Sequence, residues 1–521
     1  MKRIKIYIFS LFVIIMINSC KKEFLDRPPL TGITADNFYK SGSDLRHATA
    51  ALYAQPWFGW NNFPLLGIGD IMSGNMMQPY NTGLVQFTTF SITSDNSYVT
   101  QAWQSFYNIV AHCNVNIKAI KTKLPDSVAS ASKNGALGEL RFMRATAYYH
   151  LAMLWGAVPI IEDNDKLIAN PLVPRHKVAD VYKFIINDLR FAATNLPKAD
   201  QPGRVTTWSA QGMLAKVYLT RAGLGGGGGR NQADLDSAAY FAGNVCNSSL
   251  TLLPSYANLF KTQFNDNPES LFAFQWAPGV GYGQGNDIEA QFAPSGTLVS
   301  GGGGWGGAIG PTIGLDSLYA PNDTRRKATY MLTGDYYPEL NAIGGGYTAT
   351  GVNVKKHVVG TAADNNSPTM DLWSSIEHNT VLRLADVYLV YAEAIMGNNS
   401  STSDARALQY FNAVRTRAGI EPVTSITPTT LMKERRIELA FEGQYWFDLV
   451  RLSYYNPQGA INAINGQLRQ QFTYDAATGV KKISPSGLII TPATIATFTL
   501  PIPANEQTAD PKLLQAPVAY Y

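Results

Sequence analysis

Helical stripes recur in pairs along most of this chain, and they constrain its fold more than any other feature. In "LGELRFMRATAYYHLAMLW", Leu137, Leu140, Arg144, Ala147, Leu151 and Leu154 share one face at heptad-like spacing. In "VLRLADVYLVYAEAI", Val381, Ala385, Tyr388, Ala392 and Ile395 do the same. Each stripe mixes Ala with larger residues, and small side chains let helices approach closely and interlock. The first stripe is followed by "VADVYKFIINDLRFAATNLP", and "TTWSAQGMLAKVYLTRAG" is followed by "ADLDSAAYFAGNVCN". The helix expected over 381–396 is followed by "SDARALQYFNAVRTRAG". Such pairs predict a mostly α, tetratricopeptide-like superhelix, although no strict period of about 34 residues survives.

Two stretches break the pattern. Over about 255–375 glycine becomes frequent ("APGVGYGQGN", "SGGGGWGGAIG", "AIGGGY") and strand-like runs such as "SLFAFQW" appear. A second loop-rich stretch, "AQPWFGWNNFPLLGIGDIMSGNMMQPYN", covers 54–81. Long irregular segments in a helical protein usually carry function.

The N-terminus reads as a targeting signal. "MKRIK" is a basic n-region, and "IYIFSLFVIIMI" is an apolar run too short to span a bilayer comfortably. "NSCKK" follows, with small Ser19 before Cys20, like the lipobox of bacterial lipoproteins. Lipidation of Cys20 would leave 1–19 as the removed signal peptide and add two or more acyl chains, enough for stable anchoring. Without Lys2, Arg3 and Lys5 the chain keeps 39 of its 42 basic residues against 38 acidic ones, so no field exists to attract nucleic acid. Only 15% of residues are charged, while Tyr, Phe and Trp total 59, a composition suited to neutral ligands. Cys113 and Cys246 lie in helical segments without CxxC partners and read as buried thiols.

Catalytic and metal signatures are missing. The six His are scattered without HExxH, and neither GxSxG nor GxxxxGK[ST] occurs. Gly281, Gly283 and Gly285 follow a plausible strand, but no helix start is expected after them to cradle a pyrophosphate. They and "GGGGG" at 225–229 read as flexible loops. The closing stretch "KERRIELAFEGQYWFDLVR" places Glu434, Glu438 and Glu442 along a helix edge among Arg435, Arg436 and Arg451. Arginine beside a carboxylate lowers its pKa, the wrong direction for a general acid, so these charges read as ion pairs. Arg144, alone on an apolar stripe, requires a buried partner as well.

Motifs in a fixed order then resemble the SusD/RagB family of outer-membrane nutrient-uptake lipoproteins. They run from "CKKEFLDRPPLTGITADNFYKSGSDLRHATAALY" through "ELRFMRATAYYHLAMLWGAVPII", "GRVTTWSAQGMLAKVYL", "LRLADVYLVYAEA" and "FNAVRTRAG" to "ERRIELAFEGQYWFDLVR" and "LPIPANEQTADPKLLQ". The tail departs slightly, reading "TADPKLLQAPVAYY" where the family has Asn-Pro and a final Gly-Tyr. The resemblance implies a helical N-terminal region over 20–230 and a C-terminal region over 255–521. The latter would hold a ligand insertion at about 255–375 and a helical closing segment at 380–521. It further implies a non-enzymatic, exterior-facing glycan-binding lipoprotein that caps a SusC-like TonB-dependent transporter in the outer membrane. No cofactor or metal is expected, and the sequence leaves Ca²⁺ open.

Sugar rings stack their C–H faces on aromatics while their hydroxyls take polar partners. Trp103, Trp155, Trp208 and Trp446 fall inside helical framework and read as core. Trp57, Trp60, Trp276, Trp305 and Trp373 fall in loops or at their edges and are the ligand candidates, Trp373 ranking last. Trp305, flanked by glycines that neither shield it nor stiffen its loop, ranks first. Tyr80 and Tyr282 are its expected companions, with Asn75, Asn81 and Asp287 as hydrogen-bonding groups. The rival readings are import of peptides or another nutrient, a glycan-degrading enzyme, and a scaffold that only docks proteins.

Overall fold

The computed structural model describes residues 38–225 and 228–521. Cys20 and the segment 1–19 expected to be a signal peptide lie outside the described residues. Seven long helices form a continuous stack: α1 (Ser97–Lys123), α2 (Ser130–Trp155), α3 (Val178–Asn195), α4 (Thr207–Arg221), α5 (Gln232–Cys246), α6 (Leu384–Met396) and α7 (Ala405–Arg417). Each packs against the next, including α5 against α6. The excursion between them therefore leaves and rejoins one superhelix, as the helix pairs predicted. Ala147, Ala215, Ala242 and Ala392 are buried at the seams. At Gly212 a Cβ would sit 3.0 Å from Leu382 and 3.1 Å from Val387, so α4 and its neighbours approach as closely as glycine allows. Cys113 and Cys246 are free, buried thiols. Trp103, Trp155 and Trp446 are core, whereas Trp208 keeps part of its surface exposed.

One helix boundary differs from expectation. Val381 belongs to strand β2 (Asn379–Arg383), and α6 begins at Leu384. The stretch pairs antiparallel with β1 (Ser270–Phe274), and that pairing overrides the helical periodicity of its first residues. The β1–β2 ribbon is where the excursion is tied back to the helices.

The closing motif supplies the rest of that tie. It forms α8 (Pro428–Glu438) and α9 (Tyr445–Tyr455), joined by a turn in which Phe441 and Gly443 have φ of 64° and 69°. That turn, not a continuing helix edge, swings Glu442 inward. Glu442 accepts from Arg383 Nε at 2.8 Å and pairs with Lys356 at 2.8 Å. Glu438 is central, 2.6 Å from Arg383, 2.9 Å from Arg325 and also paired with Arg417. Arg383 and Arg417 continue to Glu269 at 3.0 and 2.6 Å, and Arg325 to Asp323 and Glu434 at 2.8 and 2.6 Å. Excursion, stack and closing helix thus share one buried ionic network. Burial alone would raise the Glu438 pKa, but Arg417, Arg383 and Arg325 hold the carboxyl well below its ordinary range. For Glu393, Arg451 and Arg230 overcome burial and bring it down to about 2. These carboxylates are fixed counter-ions with no proton to donate.

Arg144 finds the partner its position required, with Nε 2.7 Å from Asp188. Arg436 does not conform to the ion-pair expectation. Its Nε donates to Asn75 Oδ1 at 2.9 Å and its Nη2 to the Gly74 carbonyl at 2.8 Å, with the Tyr445 ring 4.9 Å from its guanidinium carbon.

Candidate functional site

The loop carrying Trp305 is set by glycine geometry. Gly301, Gly302, Gly303 and Gly304 have φ of 75°, 77°, 98° and 114°, a region that costs other residues strain. A Cβ on Gly306 would lie 1.9 Å from the Phe292 carbonyl oxygen. The Trp305 N–H donates to the Ala290 carbonyl at 2.9 Å. The loop therefore follows a path that only glycine adopts without strain at these positions.

That path lays Trp305 on Trp373. Their ring centroids are 4.8 Å apart and their planes 17° from parallel, and Trp305 remains 48% exposed. Tyr282, 58% exposed, meets Trp373 edge-on at 5.2 Å and Phe58 edge-on at 5.2 Å. Its hydroxyl accepts from Asn62 Nδ2 at 3.4 Å. Trp373, ranked last from sequence, is the ring that joins the other two. The expected shielding-free indole is in fact backed by a neighbour distant in sequence. Each aromatic contact contributes about 0.5–1.5 kcal/mol beyond burial, enough to hold the three rings in register.

The surface continues beyond Tyr282. Phe58 and Gly283 border a cavity of about 590 Å³ lined by Gln55, Gln101, Gln104 and Asn108. Asp95 and Ser97 are shared with a second cavity of about 540 Å³, bordered by Tyr80, Asn81 and Tyr98. Tyr80 is 78% exposed there. Asn81 caps a short helix, Thr82–Thr89, accepting from Leu84 N–H at 3.1 Å and donating to the Tyr98 hydroxyl at 3.1 Å. Tyr98 packs on Phe63 at 5.1 Å, so the stretch containing Asn62 and Phe63 links both ends of this face. The carboxamides of α1 escaped the sequence reading. Their signal was present, since residues 101, 104 and 108 recur on one polar helix face.

Several sequence candidates are placed out of reach. Trp57 and Trp60 are buried against Phe106 and His150, because the 54–81 stretch coils into short 3₁₀ and π-helical turns over the helices. Trp276 is buried with its Nε1 donating to Asn379 Oδ1 at 2.9 Å. Asn75 is buried between Asp70 and Arg436. Asp287 has no exposed surface, and burial pushes its carboxyl up to about 7. A five-residue helix, Ile288–Phe292, does follow the Gly281–Gly285 stretch, contrary to expectation, but all of it is buried and offers no phosphate cradle.

This short helix supports the Trp305 loop, and it carries Glu289. Glu289 Oε1 accepts from the N–H groups of Val359 and Gly360 at 2.7 and 2.8 Å. Burial nevertheless pushes its carboxyl up to about 8. The native state thus holds this proton more tightly than the unfolded chain, whose glutamates titrate near about 4.3. Its contribution is complete below that value and is lost as pH rises through about 8. Thermal melts from pH 5 to 9 are expected to show stability falling by at most about 1.4 kcal/mol for each pH unit crossed. Glu289→Gln, which keeps the acceptor oxygen, is expected to flatten that slope; an unchanged slope would refute the assignment.

With this geometry established, comparison with known proteins defines the class as a helical-repeat, SusD-type protein. Residues 268–521 match the model of the SusD family, and residues 48–219 match a model described as starch-binding associating with outer membrane. A SusD-like protein of Bacteroides ovatus is 41% identical over 455 residues, covering 87% of this chain and 83% of that one. A crystal structure with xylogluco-oligosaccharide superposes with a TM-score of 0.84 at 38% identity, covering 92% of this chain and 99% of that one. A laminarin-binding SusD-like protein shares the fold, with a TM-score of 0.68 at 23% identity over 91% of this chain and 98% of that one. The chain belongs to the SusD family.

Proposed function

We propose that this protein captures a neutral oligosaccharide at the cell surface and delivers it to a SusC-like TonB-dependent outer-membrane transporter. The observation that carries the reading is the half-exposed Trp305, stacked near-parallel on a partly buried Trp373 with Tyr282 at its edge. Flat aromatic faces suit the C–H faces of sugar rings, and the neighbouring carboxamides suit their hydroxyls. The 38%-identical relative crystallised with xylogluco-oligosaccharide supports a glycan as the ligand class. The reading is of a binding protein without turnover, since the carboxylates Glu434, Glu438 and Glu442 of the closing motif are held in ion pairs.

Calorimetry of the wild type against xylogluco- and laminari-oligosaccharides tests it, with a short peptide as comparison. Binding of an oligosaccharide with a change in Trp fluorescence and no release of sugar is the expected result. Binding of the peptide alone would assign a different nutrient, and binding of neither would contradict the proposal.

Anchoring through Cys20 belongs to the same reading, and the family description "associating with outer membrane" supports it. Cys20→Ala is expected to release the protein from the membrane fraction or leave an uncleaved precursor. Mass spectrometry showing unmodified Cys20 in the wild-type membrane protein would refute it.

A further inference from the structure

A small pocket in the irregular half gathers three lysines, two of which form no ion pair among the described residues. It encloses about 250 Å³ among Lys261, Lys327, Lys355, Tyr336, Tyr337 and Glu339. That is below the roughly 300–1,000 Å³ of ordinary ligand pockets, so it suits a small group. The Tyr337 hydroxyl donates to the Lys327 carbonyl at 3.0 Å, fixing that backbone at the pocket wall. Lys327 Nζ and Lys355 Nζ lie 5.3 and 5.6 Å from the Tyr337 ring centre.

The surroundings make this cluster unusual. Arg325 is matched by Asp323, Glu434 and Glu438, and Arg326 is paired with Asp335. Lys261 and Lys327 form no ion pair among the described residues. Lys355 is only 7% exposed; its Nζ donates to the Val358 carbonyl at 2.9 Å, and its nearest carboxylate oxygen, on Glu339, is 3.8 Å away. Burial pulls the Lys355 pKa down, against the opposing pull of Glu339, Glu377 and Glu289, and Lys261 adds to the lowering. Three lysines thus line one cavity whose lining holds a single carboxylate, Glu339, 3.8 Å from Lys355, and a bound anion would give Lys261 and Lys327 a counter-charge there.

We propose that this pocket binds a single oxyanion, a carboxylate or sulfate group of the kind carried by acidic sugars, separately from the Trp305 surface. A side-chain contact ties the two regions together: Asn353 Nδ2 donates to the Gly306 carbonyl at 3.2 Å, and Lys355 follows two residues later. The pocket would let the protein hold a charged substituent or a charged sugar while the aromatic surface holds neutral rings.

The test titrates wild-type protein with sodium glucuronate and, separately, sodium sulfate at constant ionic strength in chloride, reading the melting temperature. A saturating rise with at least one probe is expected, with apparent affinity at least fivefold weaker in Lys261→Ala and in Lys327→Ala. Both lysines are solvent-accessible, so these variants are expected to fold, and their affinity for xylogluco-oligosaccharide should equal that of the wild type. A response to glucuronate assigns an acidic sugar; a response to sulfate alone assigns a sulfate group or the free ion. No response beyond chloride, or one that both variants retain in full, would overturn the proposal.

Discussion

Glu438→Ala is expected to cost about 3–5 kcal/mol of stability, or to prevent folding, because it strands buried arginines without their shared counter-ion. Glu438 has no exposed surface and pairs with Arg383, Arg325 and Arg417 at once. These cations come from three regions of the chain, so losing the carboxylate should loosen the excursion as well as the helix. Denaturant unfolding of the variant beside the wild type checks this. A midpoint within error of the wild type would show that the network is ornamental. Arg436→Ala should be milder, about 1–3 kcal/mol, since it leaves Asn75 Oδ1 unsatisfied but no unpaired charge, and the Gly74 carbonyl keeps the Thr312 hydroxyl at 2.7 Å.

The helical superhelix was legible because Ala-rich stripes report close packing directly, and packing decides this architecture. The ion pairs were legible in kind: Arg144 had to be paired, and charge alternation in the closing motif excluded a general acid. Their partners were not, because Asp188, Glu269 and Asp323 are brought in by tertiary folding. The site was legible only where exposure follows from local sequence. Tyr80, Tyr282 and Trp305 are exposed as their loops suggested. Trp57 and Trp60 were misread because a stretch rich in Gly and Asn still coils over the helices and buries its indoles. Trp373 was undervalued because nothing local reveals that a loop far away along the chain will lay Trp305 upon it.

That contact makes the second large effect specific. Trp373→Ala is expected to weaken oligosaccharide binding about a hundredfold, or about 2.7 kcal/mol, more than loss of any single exposed ring. Removing it withdraws the backing from Trp305 and the edge contact from Tyr282 together. Calorimetry on the variant gives the affinity, and circular dichroism confirms that the helices remain. A loss no greater than that of Tyr282→Ala would mean that Trp305 and Tyr282 hold their positions without it.

The most direct measurement is the affinity of Trp305→Ala for the oligosaccharide bound by the wild type, with a melt on the same samples. The account predicts about tenfold weaker binding, the equivalent of about 1.4 kcal/mol, with a melting temperature nearly unchanged, as for a substitution outside the core. Equal affinity would place the ligand elsewhere, and a large fall in melting temperature would make Trp305 a structural residue.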